Sequence, residues 1–420
     1  MLSCLGSLET QIAVTLLDVG LACAGAALPE EKHEKPSFDI LSEKRRLFDE
    51  KDKVFKSYYL PSHLLERMKQ MRISIHQETV SPMIAWLKEA RERGDRNEGK
   101  LRAILSMPDY SVEFRRYSEP NLPVCGICFE EAVDFFLHFD EKDFENPRLA
   151  SKKESFLAFY HDLDSRIQKM QMLENITPED LQLVEQLLKN GLPDSLMAEI
   201  DHFTVLLTVS IGNSMGWPYG EYIHFDVANL DSLEDKDTFL HVLAHEIHHI
   251  MFSRLLPEEM SPRQYFFVNF AFEGLAVHFC NNAATPEKPS KYSGPMLGMD
   301  EAGWEFYAQQ HTELIQKVLD DGEKSKGLTM EQVDELISGY EQFTFTSLKT
   351  GETRTVLQYP TYYAGCCLWG SIDLCLGKER LFEVLTSYDG FPDAWEEARQ
   401  TLRTAQEEKR VFHTWERKKK

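Results

Sequence analysis

The sequence has too little positive charge to bind nucleic acid through its phosphates. Lysine and arginine number 46 against 69 aspartates and glutamates, which gives a formal net charge of −23 at pH 7. Such an excess of negative charge repels a phosphate backbone. The compact basic run Arg417–Lys420 lies at the C-terminus, where a solvated end is the simpler interpretation. Nucleic acid is therefore not expected among the partners.

Cysteine is too irregularly spaced to form a disulfide framework. Of the eight cysteines, Cys366 and Cys367 are adjacent and Cys280 lies in an apolar run. The CGIC motif Cys125–Cys128 has no second pair at zinc-ribbon spacing, so buried thiols are expected there. This usage of cysteine is typical of a reducing compartment.

No apolar run is long and clean enough to span a membrane. The segment at residues 12–28 ends in small residues, as an export signal does, but Asp18 interrupts it. No lysine or arginine precedes the segment, and Glu9 lies just before it. We therefore expect a cytoplasmic protein without a transmembrane segment. Export or membrane anchoring through this stretch is the alternative.

What the sequence does contain is a globular composition and helical periodicity. Apolar residues make up 42% of the chain, with 26 phenylalanines and 15 tyrosines. Residues 81–94 predict a helix that ends at Gly94. A second helix is predicted with Thr177 as its N-cap, Pro178 as its first residue and Gly191 as its stop. Residues 71–196 are accordingly expected to be mostly helical.

The pattern changes after this helical region. Phe203–Gly212 and Glu221–Leu230 are β-branched or aromatic and alternate with the period of a strand. Residues 213–220 between them predict a turn. Two helices are expected next, at about 235–255 and 262–282. This order, followed by further helix, predicts a predominantly helical α+β fold with a small sheet.

The first of these two helices carries the run HVLAHEIHHI. His245 and His249 are four residues apart, so one helical turn places both side chains where they can bind one ion. Glu246 follows the first histidine and would reach a water molecule on that ion. Leu243 and Ile247 lie on the opposite side and predict a core-facing stripe. An amphipathic helix with a histidine-rich polar face remains the alternative.

The second helix contains a carboxylate in an apolar run. Glu273 lies within YFFVNFAFEGLAVHFC, whose apolar residues on nearly every side require burial. A buried carboxylate costs several kcal/mol unless it is paired or bound to a metal. A dication held by the two histidines would supply the partner, and a salt bridge to a distant arginine is the alternative. Gly274 would let another backbone approach closely.

An H-E-x-x-H motif, followed after 23 residues by E-G-L-A on a second helix, resembles the gluzincin metallopeptidases. Within them the chain is most similar to a bacterial group described as zinc-dependent peptidases. The resemblance is good over 204–282 and weak in the C-terminal part. The spacing is longer than is usual in gluzincins, which affects the shape of the cleft more than the ligands.

This resemblance implies a thermolysin-like zincin core that hydrolyses peptide bonds in peptide or protein substrates. One Zn²⁺ per chain would be bound by His245, His249 and Glu273, leaving a fourth position open for water. Glu246 would then be the general base for the metal-activated water. The strand at 222–230 would hold extended substrate at the edge of the sheet. The implied regions are an N-terminal extension at 1–65, a helical region at 66–200, the catalytic core at 201–290 and a helical C-terminal region at 291–420.

A tyrosine is implied as the donor that stabilises the developing oxyanion. The segment YPTYYAGCC is similar to the Y-x-x-G helix start of some gluzincin aminopeptidases, and the spacing to Gly365 selects Tyr362. A slip of one residue would select Tyr363 instead, and simple packing of both is the third interpretation. The class of function also leaves alternatives: a zinc hydrolase of small non-peptide amides, or a relative that binds peptides without cleaving them.

Other polar residues near the motif are expected to have lesser roles. His248 is a less suitable ligand than the 245/249 pair, because four-residue spacing fits a shared ion better. His241 is expected either to support a ligand or simply to be polar. His278 and Cys280 share the second helix with Glu273 and are expected to be core residues or to support the ligands.

Overall fold

The computed structural model describes residues 72–118, 126–197, 202–212, 216–232, 235–257, 259–281, 292, 311–340, 343–346, 353–356, 360–387 and 390–407. The expected N-terminal extension and the apolar segment at 12–28 lie outside these residues. Within them the fold is predominantly helical with a small four-stranded sheet, which confirms the predicted α+β class. Among the described helices, none combines the length and apolar character needed to cross a membrane.

Fifteen α-helices are numbered here in chain order over the described residues. They are α1 Val80–Arg93, α2 Glu98–Leu105, α3 Pro108–Tyr117, α4 Phe129–His138, α5 Pro147–His161, α6 Leu163–Glu174, α7 Pro178–Gly191, α8 Asp194–Met197, α9 Lys236–Ser253, α10 Pro262–Cys280, α11 His311–Lys324, α12 Met330–Ser338, α13 Pro360–Leu376, α14 Lys378–Ser387 and α15 Phe391–Glu407. Short 3₁₀ helices occupy Val227–Ser232 and Ser325–Gly327.

The predicted helix ends are largely observed. Gly94 follows α1 in the left-handed conformation, with φ 69°, as expected of a glycine that ends a helix. Thr177 caps α7 through a reciprocal pair of hydrogen bonds with Asp180, and Pro178 is the first helical residue. Gly191 is the last helical residue rather than the stop. A Cβ at this position would lie 2.7 Å from the ring of Phe279, so the glycine is required for close packing.

The sheet has the strand order β1-β2-β4-β3. β1 pairs with β2 and β2 pairs with β4 in parallel, whereas β3 pairs with β4 antiparallel. The strands are β1 Arg72–His76, β2 His202–Thr208, β3 Gly216–Tyr219 and β4 Tyr222–Asp226. A separate hairpin in the C-terminal part consists of β5 Phe343–Thr346 and β6 Thr353–Val356.

Two expectations about the sheet are wrong. β3 lies within the expected turn at 213–220, whereas β1 is a short strand in a region that is otherwise mostly helical, as expected. β4, which was expected at the edge, is an inner strand paired on both sides. β3 forms the edge instead, where Pro218 is tolerated because an outer strand has an unpaired side for a residue without N–H.

The sheet is covered on both faces. α9 packs against one face, where the ring centroids of Phe239 and Phe225 are 5.1 Å apart. α3 lies against the other, where Val112 clusters with Leu206 and Trp217. α10 packs on α9, and α13 packs extensively on α10. The core therefore continues from the sheet through α9 into the C-terminal helices.

The described cysteines are free thiols, as expected. Cys280, Cys366 and Cys367 are buried, whereas Cys128 of the CGIC motif is exposed. The expectation of a buried thiol was wrong for Cys128 because this residue caps α4, and its backbone N–H is 2.8 Å from the Glu131 carboxylate. Cys125 lies outside the described residues.

Candidate metal centre

Helix α9 carries the H-E-x-x-H motif inside the core. The Asp235 side chain caps the helix by accepting a hydrogen bond from the Thr238 N–H at 2.8 Å. Every residue from His241 to Ser253 is buried except Glu246, which keeps intermediate exposure. The histidine face expected to be separate from the core is itself buried, because α10 packs against α9.

Helix α10 brings the second part of the constellation. Ser261 and Gln264 cap its start reciprocally, and Pro262 occupies the first helical position. Its residues from Phe266 to Cys280 are all buried, Glu273 among them. The structure therefore contains the buried carboxylate that the apolar sequence predicted.

The structure brings His245, His249 and Glu273 together. The two histidine Nε2 atoms are 2.9 Å apart. Glu273 Oε2 lies 3.3 Å from Nε2 of His245 and 3.4 Å from Nε2 of His249. All three side chains are buried, and this carboxylate oxygen has no hydrogen-bond partner among the described residues. Three ligand atoms thus converge on one point.

This triangle has the dimensions of three ligands of a tetrahedral ion. Two ligand atoms that each lie about 2.0 Å from a tetrahedral zinc are about 3.3 Å from each other. Two imidazole nitrogens that face each other at 2.9 Å cannot both carry a proton, whereas two lone pairs directed at one cation are compatible with this distance. The donor set of two imidazoles and a carboxylate suits Zn²⁺.

The electrostatics keep the carboxylate charged. Burial would raise the pKa of Glu273, but the facing His249 and His245 rings outweigh this effect and hold the pKa far below its usual value. Burial likewise opposes protonation of His245, yet its contact with Glu273 raises the pKa of the imidazole. Glu273 is therefore ionised and presents a charged carboxylate oxygen to a cation.

Neighbouring groups orient both rings. His245 Nδ1 lies 2.7 Å from Asn281 Oδ1, and an amide oxygen can only accept, so Nδ1 carries the proton and Nε2 keeps its lone pair. The His249 ring stacks on Phe272, with centroids 4.2 Å apart and planes at 2°. Asn281 was not among the residues selected from the sequence. Its position directly after α10 was the available signal, because it places the side chain two turns from Glu273.

Glu246 differs from the ligands in its exposure. It is the half-buried residue of this buried helix segment, so its side chain keeps partial access to solvent. Protein atoms surround the carboxyl closely enough that burial raises the pKa of Glu246, although His249 and His245 partly offset this. A carboxylate with a raised pKa beside an ion is a suitable proton acceptor.

The two candidate tyrosines lie in different environments. Tyr362 is half-buried, and its ring is nearly parallel to that of His245, with centroids 6.2 Å apart and planes at 12°. Tyr363 is 1% exposed and interacts with the Cys367 thiol. Tyr362 is therefore the tyrosine of this pair that lies beside the candidate ligands.

The remaining histidines do not join the ligand group. His248 is buried between Phe252 and Phe279, and within the described part of the chain neither of its ring nitrogens has a hydrogen-bond partner. Burial lowers the pKa of His248 far below its usual value, so the ring is neutral. His278 Nε2 pairs with Asp373 Oδ2 at 2.9 Å, which links α10 to α13. 

A second group of possible ligands contrasts with the first. His76, Glu78 and Asp109 have ligand atoms within 4.8 Å of one another. Glu78 is exposed and His76 is half-exposed, whereas all three members of the 245/249/273 group are buried. Burial thus distinguishes the candidate centre, since exposed acidic side chains need no ion to neutralise them.

Comparison with known proteins gives one family. The model of a family described as "Putative zinc dependent peptidase (DUF5700)" matches residues 141–383. The matched segment is more than half of the chain and includes the whole of α9, α10 and α13. No curated protein and no solved structure matches the chain.

Proposed function

The chain belongs to this family of zinc-dependent peptidases, and from that premise we propose that it cleaves peptide bonds as a gluzincin does. His245, His249 and Glu273 would hold one zinc ion, and Glu246 would be the general base. The proposed catalytic core is a zincin core at 201–290, completed by Tyr362 from the C-terminal region.

One observation carries this proposal: the convergence of two Nε2 atoms and one Oε2 atom in a buried triangle. A structural zinc site has four protein ligands, whereas three ligands leave a position open. The half-buried Glu246 next to His245 supports the catalytic interpretation, because holding the ion does not require this residue.

The zinc ion and the side chains have separate roles in the proposed reaction. When bound, zinc supplies Lewis acidity, which polarises the scissile carbonyl and activates a water molecule for attack. Glu246 accepts the proton of the attacking water and delivers it to the leaving amine. Its raised pKa suits a group that must first accept a proton and then release it. The phenol of Tyr362 donates a hydrogen bond to the developing oxyanion.

Extended substrate would pair with β3 rather than with β4. β3 is an outer strand of the sheet and lies against α9, whereas β4 is paired on both sides. Pro218 has no N–H and cannot donate to a paired peptide, while Gly216 lacks a side chain that would obstruct one. Pairing of this kind would select the peptide backbone before side chains.

The test uses the full chain and an unstructured peptide library. The purified protein should contain about one equivalent of zinc and release new peptide termini. Glu246→Gln keeps the size of the side chain but removes the base, so zinc should remain while turnover falls by at least about a hundredfold. Turnover that survives this substitution would exclude Glu246 as the base.

The same experiment separates the alternatives. A panel of small non-peptide amides is incubated in parallel with the peptide library. Cleavage of these amides alone would identify a zinc hydrolase of small substrates. A zinc-loaded protein that cleaves neither would be a non-cleaving binder, and a protein without zinc after supplementation would refute the proposal.

A further inference from the structure

A chain of hydrogen bonds runs from His245 to the backbone of Tyr292. His245 Nδ1 lies 2.7 Å from Asn281 Oδ1. The other end of the same amide donates from Nδ2 to the backbone carbonyl of Tyr292 at 3.2 Å. The Asn281 side chain therefore joins a candidate zinc ligand to the backbone of Tyr292, which lies eleven positions after Asn281.

Tyr292 is fixed to the helix that carries the ligand. Its hydroxyl donates to Asp237 Oδ2 at 2.7 Å. Its ring stacks on His241, with centroids 3.6 Å apart and planes at 15°. Asp237, His241 and His245 recur every fourth residue, so they share one face of α9. The same helix face thus holds both Tyr292 and the ligand.

These contacts determine which way the amide points. A carbonyl oxygen can only accept, so the Nδ2 end of Asn281 must face Tyr292 and the Oδ1 end must face His245. Oδ1 in turn can only accept, so the proton of neutral His245 must be on Nδ1. Each step fixes the next, and the lone pair of Nε2 is left facing His249 and Glu273.

We propose that Asn281 and Tyr292 together are positioning residues that fix the tautomer of His245 for metal binding. With the amide reversed, Nδ2 would face His245 and favour the tautomer with its proton on Nε2, which cannot bind an ion. The hydroxyl and ring of Tyr292 hold its carbonyl in place and so prevent this reversal. The proposal rests on the proposed function, since it concerns the same metal site.

The first test measures the tautomer directly in the metal-free full chain. ¹⁵N-histidine labelling at alkaline pH, where imidazoles are neutral, distinguishes a proton on Nδ1 from one on Nε2, and His245→Phe assigns the signal. The wild type should show the Nδ1–H form. Asn281→Ala should populate the Nε2–H form and weaken zinc binding about 10- to 100-fold, measured against a competing chelator.

The second test is a double substitution in which the effect of Tyr292→Ala on zinc binding should disappear. Asn281→Asp provides an oxygen at either end, so it should restore the Nδ1–H tautomer without any need for orientation by Tyr292. Tyr292→Ala should therefore weaken zinc binding in the wild-type background. In the Asn281→Asp background, Tyr292→Ala should not weaken zinc binding. The introduced carboxylate would repel the carbonyl of residue 292, so freeing that carbonyl removes only an unfavourable contact.

Failure of this proposal is distinguishable from failure of the proposed function. An unchanged Nδ1–H signal and unchanged zinc affinity in Asn281→Ala would overturn it while the zinc site stands. An equal loss of affinity on Tyr292→Ala in both backgrounds would also overturn it, since that result indicates a merely structural role for Tyr292. Absence of zinc from the wild type would instead refute the function.

Discussion

Gly274 and Gly365 face each other where α10 crosses α13. A Cβ on Gly274 would overlap the backbone of Gly365, and a Cβ on Gly365 would overlap the carbonyl of Phe270. The two backbones are therefore in direct contact, as expected from the glycine next to Glu273. Because Glu273 precedes one glycine and Tyr362 lies one turn before the other, this crossing sets the separation of the candidate ligand from the candidate tyrosine.

Gly274→Ala should push the two helices apart. The added methyl group meets backbone rather than a flexible side chain, so the free energy of unfolding should fall by at least about 1–3 kcal/mol. Zinc affinity and turnover should fall with it. Gly327→Ala is the matched control, because a Cβ there meets nothing within 4 Å. Thermal unfolding of both variants checks this, and equal melting temperatures would contradict the proposed crossing.

The parts of the fold that could be predicted are those fixed by local chemistry. The caps of α1 and α7 depend on side chains within a few residues, so they were predictable. The edge position of β4 was not, because strand order depends on pairing with β3, a four-residue strand that contains Gly216 and Pro218. Glycine and proline are typical of a turn, and only the pairing with β4 places these two residues in an edge strand.

The candidate ligands differ in the same way from the residues that contact them. His245 and His249 have helical spacing, and Glu273 is conspicuous as a carboxylate in an apolar helix, so local pattern was sufficient. Asn281 and Tyr292 act on His245 through a long-range hydrogen bond and a backbone carbonyl. Asn281 could have been selected from its position directly after α10, but a backbone carbonyl carries no sequence signal, so the contact with Tyr292 could not be predicted.

Replacing either of two adjacent histidines on α9 with phenylalanine should have different effects on zinc content. His249→Phe removes a candidate ligand, so most of the zinc should be lost. His248→Phe should leave about one equivalent of zinc, because this ring lies against Phe252 and Phe279. It should also be neutral or stabilising, since it removes two buried nitrogens without partners. Metal analysis and thermal unfolding measure both effects, and loss of zinc in His248→Phe would contradict the ligand assignment.

A buried carboxylate on the far face of the sheet should make stability depend on pH. Glu113 accepts hydrogen bonds from Ser210 Oγ at 2.9 Å and Ile211 N at 3.0 Å, and it also contacts the Thr208 hydroxyl and His224. Burial alone would raise the pKa of Glu113, but His224 and these hydrogen bonds outweigh it and lower the pKa. The ionised form is thus favoured in the folded state.

The sign of the pH effect follows from this lowered pKa. The stabilisation is present above the unfolded-state pKa of about 4.3 and is lost as pH falls through the folded-state value. Glu113→Gln should cost about 1.5–3 kcal/mol near neutral pH, and less under acidic conditions. Urea unfolding near neutral pH and under acidic conditions measures this free-energy difference. Glu89→Gln is the control, because the pair with Lys100 lies at the surface and should contribute little at either pH. A cost that stays constant on acidification would contradict the lowered pKa.

The two adjacent tyrosines of α13 provide the sharpest test of the catalytic geometry. Tyr362 lies beside His245 and keeps partial exposure, whereas Tyr363 is buried and interacts with Cys367. A donor that hydrogen-bonds the oxyanion only in the transition state affects kcat, and its loss costs about 2.7–4 kcal/mol of transition-state stabilisation. Tyr362→Phe should therefore lower kcat about 100- to 1,000-fold with zinc content and KM nearly unchanged.

Tyr363→Phe should leave kcat intact and lower the free energy of unfolding by about 1 kcal/mol, the usual contribution of one hydrogen bond. Unchanged turnover in both variants would remove this segment from the active site, and loss confined to Tyr363→Phe would shift the oxyanion donor by one residue.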